Sequence, residues 1–119
     1  MIALQIVTKT LKEVVDITER LQLAIQQNGL NDGIMVLFLP HTTAALTTAE
    51  IKPGMDQALL TAFETVVPAQ AMPVVIDPTL TLPVKHGQLM LGTEQRVVLV
   101  EFDGPKDREV SVSFMTSVI

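Results

Sequence analysis

Cysteine, tryptophan and tyrosine are all absent from this chain of 119 residues, and phenylalanine occurs only four times. Without cysteine there is no disulfide, no thiolate zinc site and no cysteine nucleophile, a pattern that fits a reducing compartment. Without Trp or Tyr the usual stacking platform for single-stranded bases is missing. Cations are scarce as well: 8 Lys and Arg against 13 Asp and Glu give a net charge of −5. Binding to a phosphate backbone needs clustered Lys and Arg, so the balance argues against a nucleic-acid partner. No apolar stretch approaches the roughly 20 residues needed to span a bilayer. Met1-Ile2-Ala3-Leu4-Gln5 has no basic region ahead of an apolar run, unlike a signal peptide. The expectation is a cytoplasmic protein that binds neither nucleic acid nor membrane.

Catalytic signatures are equally sparse. His41 and His86 are the two histidines, with no His-x-x-x-His or His-Glu-x-x-His arrangement between them. No Walker loop, Gly-x-Gly-x-x-Gly or Gly-x-Ser-x-Gly elbow occurs.

What the chain has in quantity is apolar residues. Its length suits one domain, residues 1–119, with a single two-layer core. Charged residues make up 18% and the mean hydropathy is +0.42, although a domain this small needs a more polar exterior. A subunit interface absorbs such an excess, so the composition predicts a homo-oligomer.

Residues 2–9 alternate enough for a first strand. Asp16-Ile17-Thr18-Glu19 reads as a capping box ahead of a helix with Ile17, Leu21, Ala24 and Ile25 on one face, stopped by Asn28-Gly29. Ile34 to Leu39 is an apolar run of strand length, expected to be covered on both faces. Thr42 to Thr48 offers another β-prone segment. A second helix is expected from Pro53, carrying Met55, Leu59, Phe63 and Val66, until Pro68. Residues 69–82 read as loop around a short Val74-Val75-Ile76. Leu89 to Leu91 and Val97 to Phe102 read as strands, and Val110, Val112, Phe114 and Val118 alternate with serines in a half-exposed strand. The Asp103-Gly104-Pro105-Lys106-Asp107 break is expected to join two of them as a hairpin. Strands outnumber helices, so the class is α+β with a mainly antiparallel sheet.

The polar groups able to do chemistry sit at the ends of these strands. His41 can serve as general base, metal ligand or anion donor, because its proton equilibrium lies near neutrality; it can equally be bonded to a nearby carbonyl. Thr42 and Thr43 follow it. Glu50 is either a catalytic carboxylate or a favourable charge near a helix N-terminus. Gly92, Thr93 and Gln95 form a polar turn suited to an anion or an amide. Glu101 interrupts an apolar strand, facing either water or a polar pocket. Arg108 can pair with Asp103 or grip a phosphate. Lys85-His86-Gly87 reads as an exposed turn.

Taken together, Pro40-His41-Thr42-Thr43-Ala44-Ala45-Leu46-Thr47 with Glu50, then Leu82-Pro83-Val84, Gly87 to Gln95, and Val100 to Arg108 resemble the YjbQ family, whose members are often labelled secondary thiamine-phosphate synthases. The resemblance implies a compact α+β protein with a β-sandwich-type core and two main helices, assembled as a homotrimer. It implies sites near subunit interfaces that hold a metal or an anion. His41 matches the family's histidine before paired hydroxyls, Glu50 its following glutamate, and Gly92, Thr93 and Gln95 its Gly-Thr-Trp-Gln turn. Glu94 stands in place of the usual tryptophan, Ala49 in place of asparagine before Glu50, and Lys106 where arginine commonly follows Gly-Pro. The family's further histidines, in a segment after the second helix, have no counterpart in residues 67–82.

Three functions follow as expectations. The first is an enzyme acting on a small phosphorylated substrate, with His41 as acid/base, Glu50 or Glu101 as its carboxylate partner, and Thr93, Gln95 and Arg108 gripping the anion, beside Thr42, Thr43 and Gly92. The second is a non-catalytic trimer that binds a small anion; the third is a purely structural or interaction protein. His41, Glu50, Gly92, Thr93 and Gln95 are expected in one pocket, completed if need be by a second subunit. No cofactor is expected, and any metal would be held through His41.

Overall fold

The protein was analysed as a computed structural model that describes residues 1–50, 52–66 and 78–117. Eight strands and two helices follow in the order β1 (Ile2–Val7), β2 (Glu13–Asp16), α1 (Thr18–Gln27), β3 (Gly33–Phe38), β4 (Ala44–Glu50), α2 (Met55–Val66), β5 (Thr79–Lys85), β6 (Gln88–Leu89), β7 (Gln95–Glu101) and β8 (Asp107–Thr116). The fold is α+β. A five-stranded sheet in the order β1-β8-β3-β5-β6 faces a three-stranded sheet in the order β2-β7-β4, and every strand pair is antiparallel.

The period-2 rule explains the core. Ile6, Met35, Leu37, Leu82, Val84, Val110 and Val112 point inward from the larger sheet to meet Val97 and Leu99 of β7 and Leu46 of β4. Ile17, Leu21 and Ile25 of the α1 region join the same cluster. The opposite face of β7, Val98 and Val100, packs against Leu59, Leu60 and Phe63 of α2. Strand β7 is therefore buried on both faces, which is why Val97 to Val100 is continuously apolar.

Several expectations are corrected. Thr79 to Leu82, in a stretch expected to be loop, belong to β5. Pro83 is tolerated in that strand because its carbonyl, which accepts the Met90 N–H, and so its nitrogen face the β6 side, where the ladder pairs only Val84 and Lys85. The Val74–Ile76 segment lies outside the described residues. The capping box at α1 forms by half: Asp16 Oδ1 accepts the Thr18 N–H at 3.0 Å, while Glu19 turns away to accept from Arg96 and the Thr18 hydroxyl accepts the Val97 N–H at 2.8 Å. The Asp103–Asp107 break is a crossover between the sheets and not a hairpin, since β7 and β8 belong to different sheets. The two faces of strand β3 are unequally buried: Met35 and Leu37 are fully buried, while Ile34 and Phe38 on its other face are 39% and 42% exposed.

Candidate functional site

The register of β4 on β7 decides which sequence-predicted residues can meet. Ala44 lies opposite Glu101 at one end of the ribbon, and Glu50 opposite Gln95 at the other. Six residues of strand separate the two ends by roughly 20 Å. Within one chain the candidates therefore form two clusters, and the single pocket expected around His41 and Gln95 does not form.

The first cluster closes the end of the sandwich. Glu101 faces the core, fully buried, because odd-numbered β7 residues point between the sheets. Its Oε1 accepts from Arg108 Nε at 2.9 Å and from the Thr8 hydroxyl at 2.7 Å. Its Oε2 accepts from Arg108 Nη2 and from the Phe102 and Asp103 N–H groups, each of the latter at 3.1 Å. Burial alone would raise the Glu101 pKa. The Arg108 guanidinium, with Thr8 and the Asp103 N–H, overcomes burial and lowers it to about 2. Arg108, only 3% exposed, also donates from Nη2 to the Thr43 hydroxyl at 2.7 Å and more weakly to the Thr43 carbonyl. Its expected pairing with Asp103 is not made: Asp103 binds Lys106 at 2.6 Å.

His41 stands beside this pair. The β3–β8 ladder ends at Phe38 opposite Ser111. Two residues further along β8, the Glu109 N–H donates to His41 Nε2 at 3.2 Å. The imidazole thus extends the ladder by one bond where Pro40 ends the strand. An acceptor nitrogen in a neutral ring leaves the proton on Nδ1. Burial, then the nearby Arg108 charge, holds the His41 pKa below its ordinary value, so the neutral ring is favoured. Thr42 is exposed next to it, while Thr43 is taken up by Arg108.

At the far end, the Gly92 N–H donates to Gln95 Oε1 at 2.7 Å and the Gln95 N–H to the Gly92 carbonyl at 3.0 Å, closing the turn on itself. Thr93 is exposed on that turn. Lys52 bridges Glu50 and Glu94, the latter at 3.3 Å. Its hydrogen bond lowers the Glu50 pKa. Lys52 was not singled out in the sequence, yet it explains Glu94: a glutamate at the turn gains an ion pair. Residues Asp16, Lys52 and Asp56 line a shallow groove against Val14 at the start of α2.

The metal implied by the family resemblance does not fit this donor set. His41 Nε2 is occupied by a backbone amide, and the neighbouring Glu101 is consumed by Arg108. His86 lies on a turn at the opposite end, with its N–H on Asp32. Among the described residues no three His, Asp or Glu side chains converge.

Fold and site together define a two-sheet α+β protein whose polar groups gather at both ends of a β4–β7 ribbon. Residues 2–117 match the family model of the UPF0047 protein YjbQ-like group, and the chain belongs to that family. It is similar to a UPF0047 protein of Archaeoglobus fulgidus, 31% identical over 92% of this chain and 98% of the relative. The UPF0047 protein YugU of Bacillus subtilis is 30% identical over 94% of this chain and 96% of its own. Among solved structures, an uncharacterized conserved protein of the same family from Clostridium acetobutylicum superposes with a TM-score of 0.87 at 29% identity, covering 97% of this chain and all (100%) of that one. Among the described residues no helix is long and apolar enough to cross a membrane.

Proposed function

We propose that this protein binds a small phosphorylated ligand at the His41 end of the sandwich and works as a homotrimer. The observation that carries the reading is the fixed imidazole: with Nε2 held by the Glu109 N–H, His41 presents Nδ1–H as an oriented donor next to the exposed Thr42 hydroxyl. Neutral donors of this kind bind phosphate oxygens without needing the cations that an acidic chain lacks. Arg108 stiffens the site from behind while its charge is balanced by Glu101. Neighbouring subunits would supply the remaining positive charge.

A thiamine-phosphate-synthase-like enzyme is the second reading. It would use His41 as the acid/base with a carboxylate partner, but Glu101 is bonded to Arg108 and Glu50 lies at the other end of β4. Binding without turnover is therefore the reading the geometry supports better. Calorimetric titration with inorganic phosphate and with thiamine monophosphate tests it, alongside an assay for thiamine-phosphate formation. Saturable binding weakened at least about tenfold in His41→Ala, a loss of roughly 1.4 kcal/mol, with no turnover in either protein, is the expected result. Turnover abolished in His41→Ala would instead establish the enzyme.

A further inference from the structure

A cavity of about 470 Å³ opens where the ends of β3, β5 and β8 meet, at the end of β3 away from His41. That volume lies in the range of small-molecule sites. Its apolar part is made by Ile34, Met90 and Met115, which are 39%, 53% and 60% exposed although each would gain from burial. The Met90 N–H, bonded to the Pro83 carbonyl at 2.9 Å, fixes that wall against β5. Asp32 and Lys85 line the same cavity, each one residue beyond the Gly33–Val84 pair. The His86 N–H anchors Asp32 through Oδ1 at 2.8 Å. Among the described residues, Asp32 Oδ2 and the Lys85 ammonium have no partner, and the two side chains make no ion pair with each other. Lys12, Lys52, Arg96, Lys106 and Arg108, in contrast, are all ion-paired.

We propose that this cavity binds an apolar α-amino acid, of the leucine or methionine type, as its zwitterion. Charge selects that class. A ligand carrying only an anion would meet the Asp32 carboxylate, and one carrying only a cation would meet the Lys85 ammonium. A ligand with both signs on one carbon satisfies both: its ammonium donates to Asp32 Oδ2 and its carboxylate accepts from Lys85 Nζ. Both contacts are charge-assisted hydrogen bonds, the stronger kind. The ligand's side chain then covers Ile34, Met90 and Met115, and the two unbranched thioether chains adapt to its shape. A direct pair between the exposed Asp32 and Lys85 would contribute little to folding, so holding them apart costs the fold little and leaves both free for the ligand. The six residues of β3 separate this cavity from the His41 end by roughly 20 Å. It is therefore a second site, and it does not depend on the phosphate site.

NMR of the full chain labelled at its methionine methyl groups tests the proposal by titration with L-leucine, with 4-methylpentanoate, which lacks the amine, and with isoamylamine, which lacks the carboxylate. L-Leucine is expected to shift the Met90 and Met115 methyls saturably while the buried Met35 stays in place. The two truncated ligands should bind at least tenfold more weakly. Lys85→Gln and Asp32→Asn, both at exposed positions, should each weaken L-leucine at least tenfold; the asparagine amide oxygen can still accept the His86 N–H, so the turn is kept. Lys9→Gln, at an exposed lysine outside the cavity, should bind as the unmodified chain does. Absence of saturable shifts with L-leucine overturns the proposal. So does undiminished binding in Lys85→Gln and Asp32→Asn. Equal binding of 4-methylpentanoate and L-leucine overturns it too, because the cavity would then read a carboxylate with an apolar tail and not a zwitterion.

Discussion

Glu101 and Arg108, seven residues apart in sequence, form an ion pair that is 0% and 3% exposed and that ties β7 of one sheet to β8 of the other. Both had been candidates for chemistry, as carboxylate partner and anion grip. Their geometry closes the sandwich: both Glu101 oxygens accept from donors, and Arg108 reaches on to Thr43 in the His41 loop. Removing one partner leaves a buried charge uncompensated. Glu101→Gln and Arg108→Met should each cost about 3–5 kcal/mol, and the double variant less than their sum. Urea denaturation of the three variants measures this; additive losses would show that the pair is not coupled.

The same pair sets an acid limit. The folded Glu101 value of about 2 lies below the ordinary 4.5. A depressed carboxylate contributes stability that is present above pH 4.5 and is lost as pH falls from there toward 2. The shift corresponds to about 3 kcal/mol. Unfolding free energies of the unmodified chain and Glu101→Gln should therefore converge as pH is lowered through this window.

His41 behaves in the same direction for a different reason. Its neutral ring accepts the Glu109 N–H and its pKa is lowered, so its contribution is present above about pH 6.5 and is lost as pH falls through the lower folded value. Imidazole proton shifts followed by NMR should titrate below the ordinary range. Hydrogen exchange at the Glu109 amide should quicken in His41→Ala. A normal titration together with an unchanged exchange rate would remove the bond from the account.

The crossover between the sheets is intolerant of a side chain at Gly104. A Cβ there would sit 2.1 Å from the Thr10 carbonyl oxygen and 3.0 Å from Thr8 Oγ1. Gly104→Ala should thus destabilise by about 1–3 kcal/mol and loosen the Thr8–Glu101 bond, whereas Gly29→Ala, with open space around it and only its positive φ to strain, should cost about 1 kcal/mol. Thermal denaturation ranks the two.

Zinc is the last prediction. With Nε2 of His41 occupied and Glu101 engaged, protein purified without an affinity tag is expected to carry far less than one zinc per chain, since a stable site takes three or four ligands. Elemental analysis decides it. Near-stoichiometric zinc, lost in His41→Ala, would mean that the histidine turns away from Glu109 to join ligands from elsewhere.

Periodicity made much of this architecture legible. The alternation along Val110 to Phe114, the run from Val97 to Val100 and the face of Ile17, Leu21 and Ile25 all pack as their spacing requires, because side-chain period is a local property of strands and helices. The absence of cysteine settled the chemistry that the chain cannot use. What spacing could not carry was partner choice. Glu19 completes a capping box in the local sequence, but in the fold its carboxylate accepts from Arg96, 77 residues away. The Asp103–Asp107 break looked like a hairpin, but its two strands belong to opposite sheets. Ile34 to Leu39 is apolar on both faces, and only the tertiary structure buries one of them fully and leaves the other part-exposed. His41, Glu50, Glu101 and Gln95 were all visible as polar residues at strand ends. Which end each one occupies depends on β4 pairing with β7 so that Ala44 meets Glu101 and Glu50 meets Gln95. Register is set by long-range contacts across the core, and a side chain's neighbours follow from it; the sequence therefore determined which residues were available, and the packing of the sheets decided which could act together.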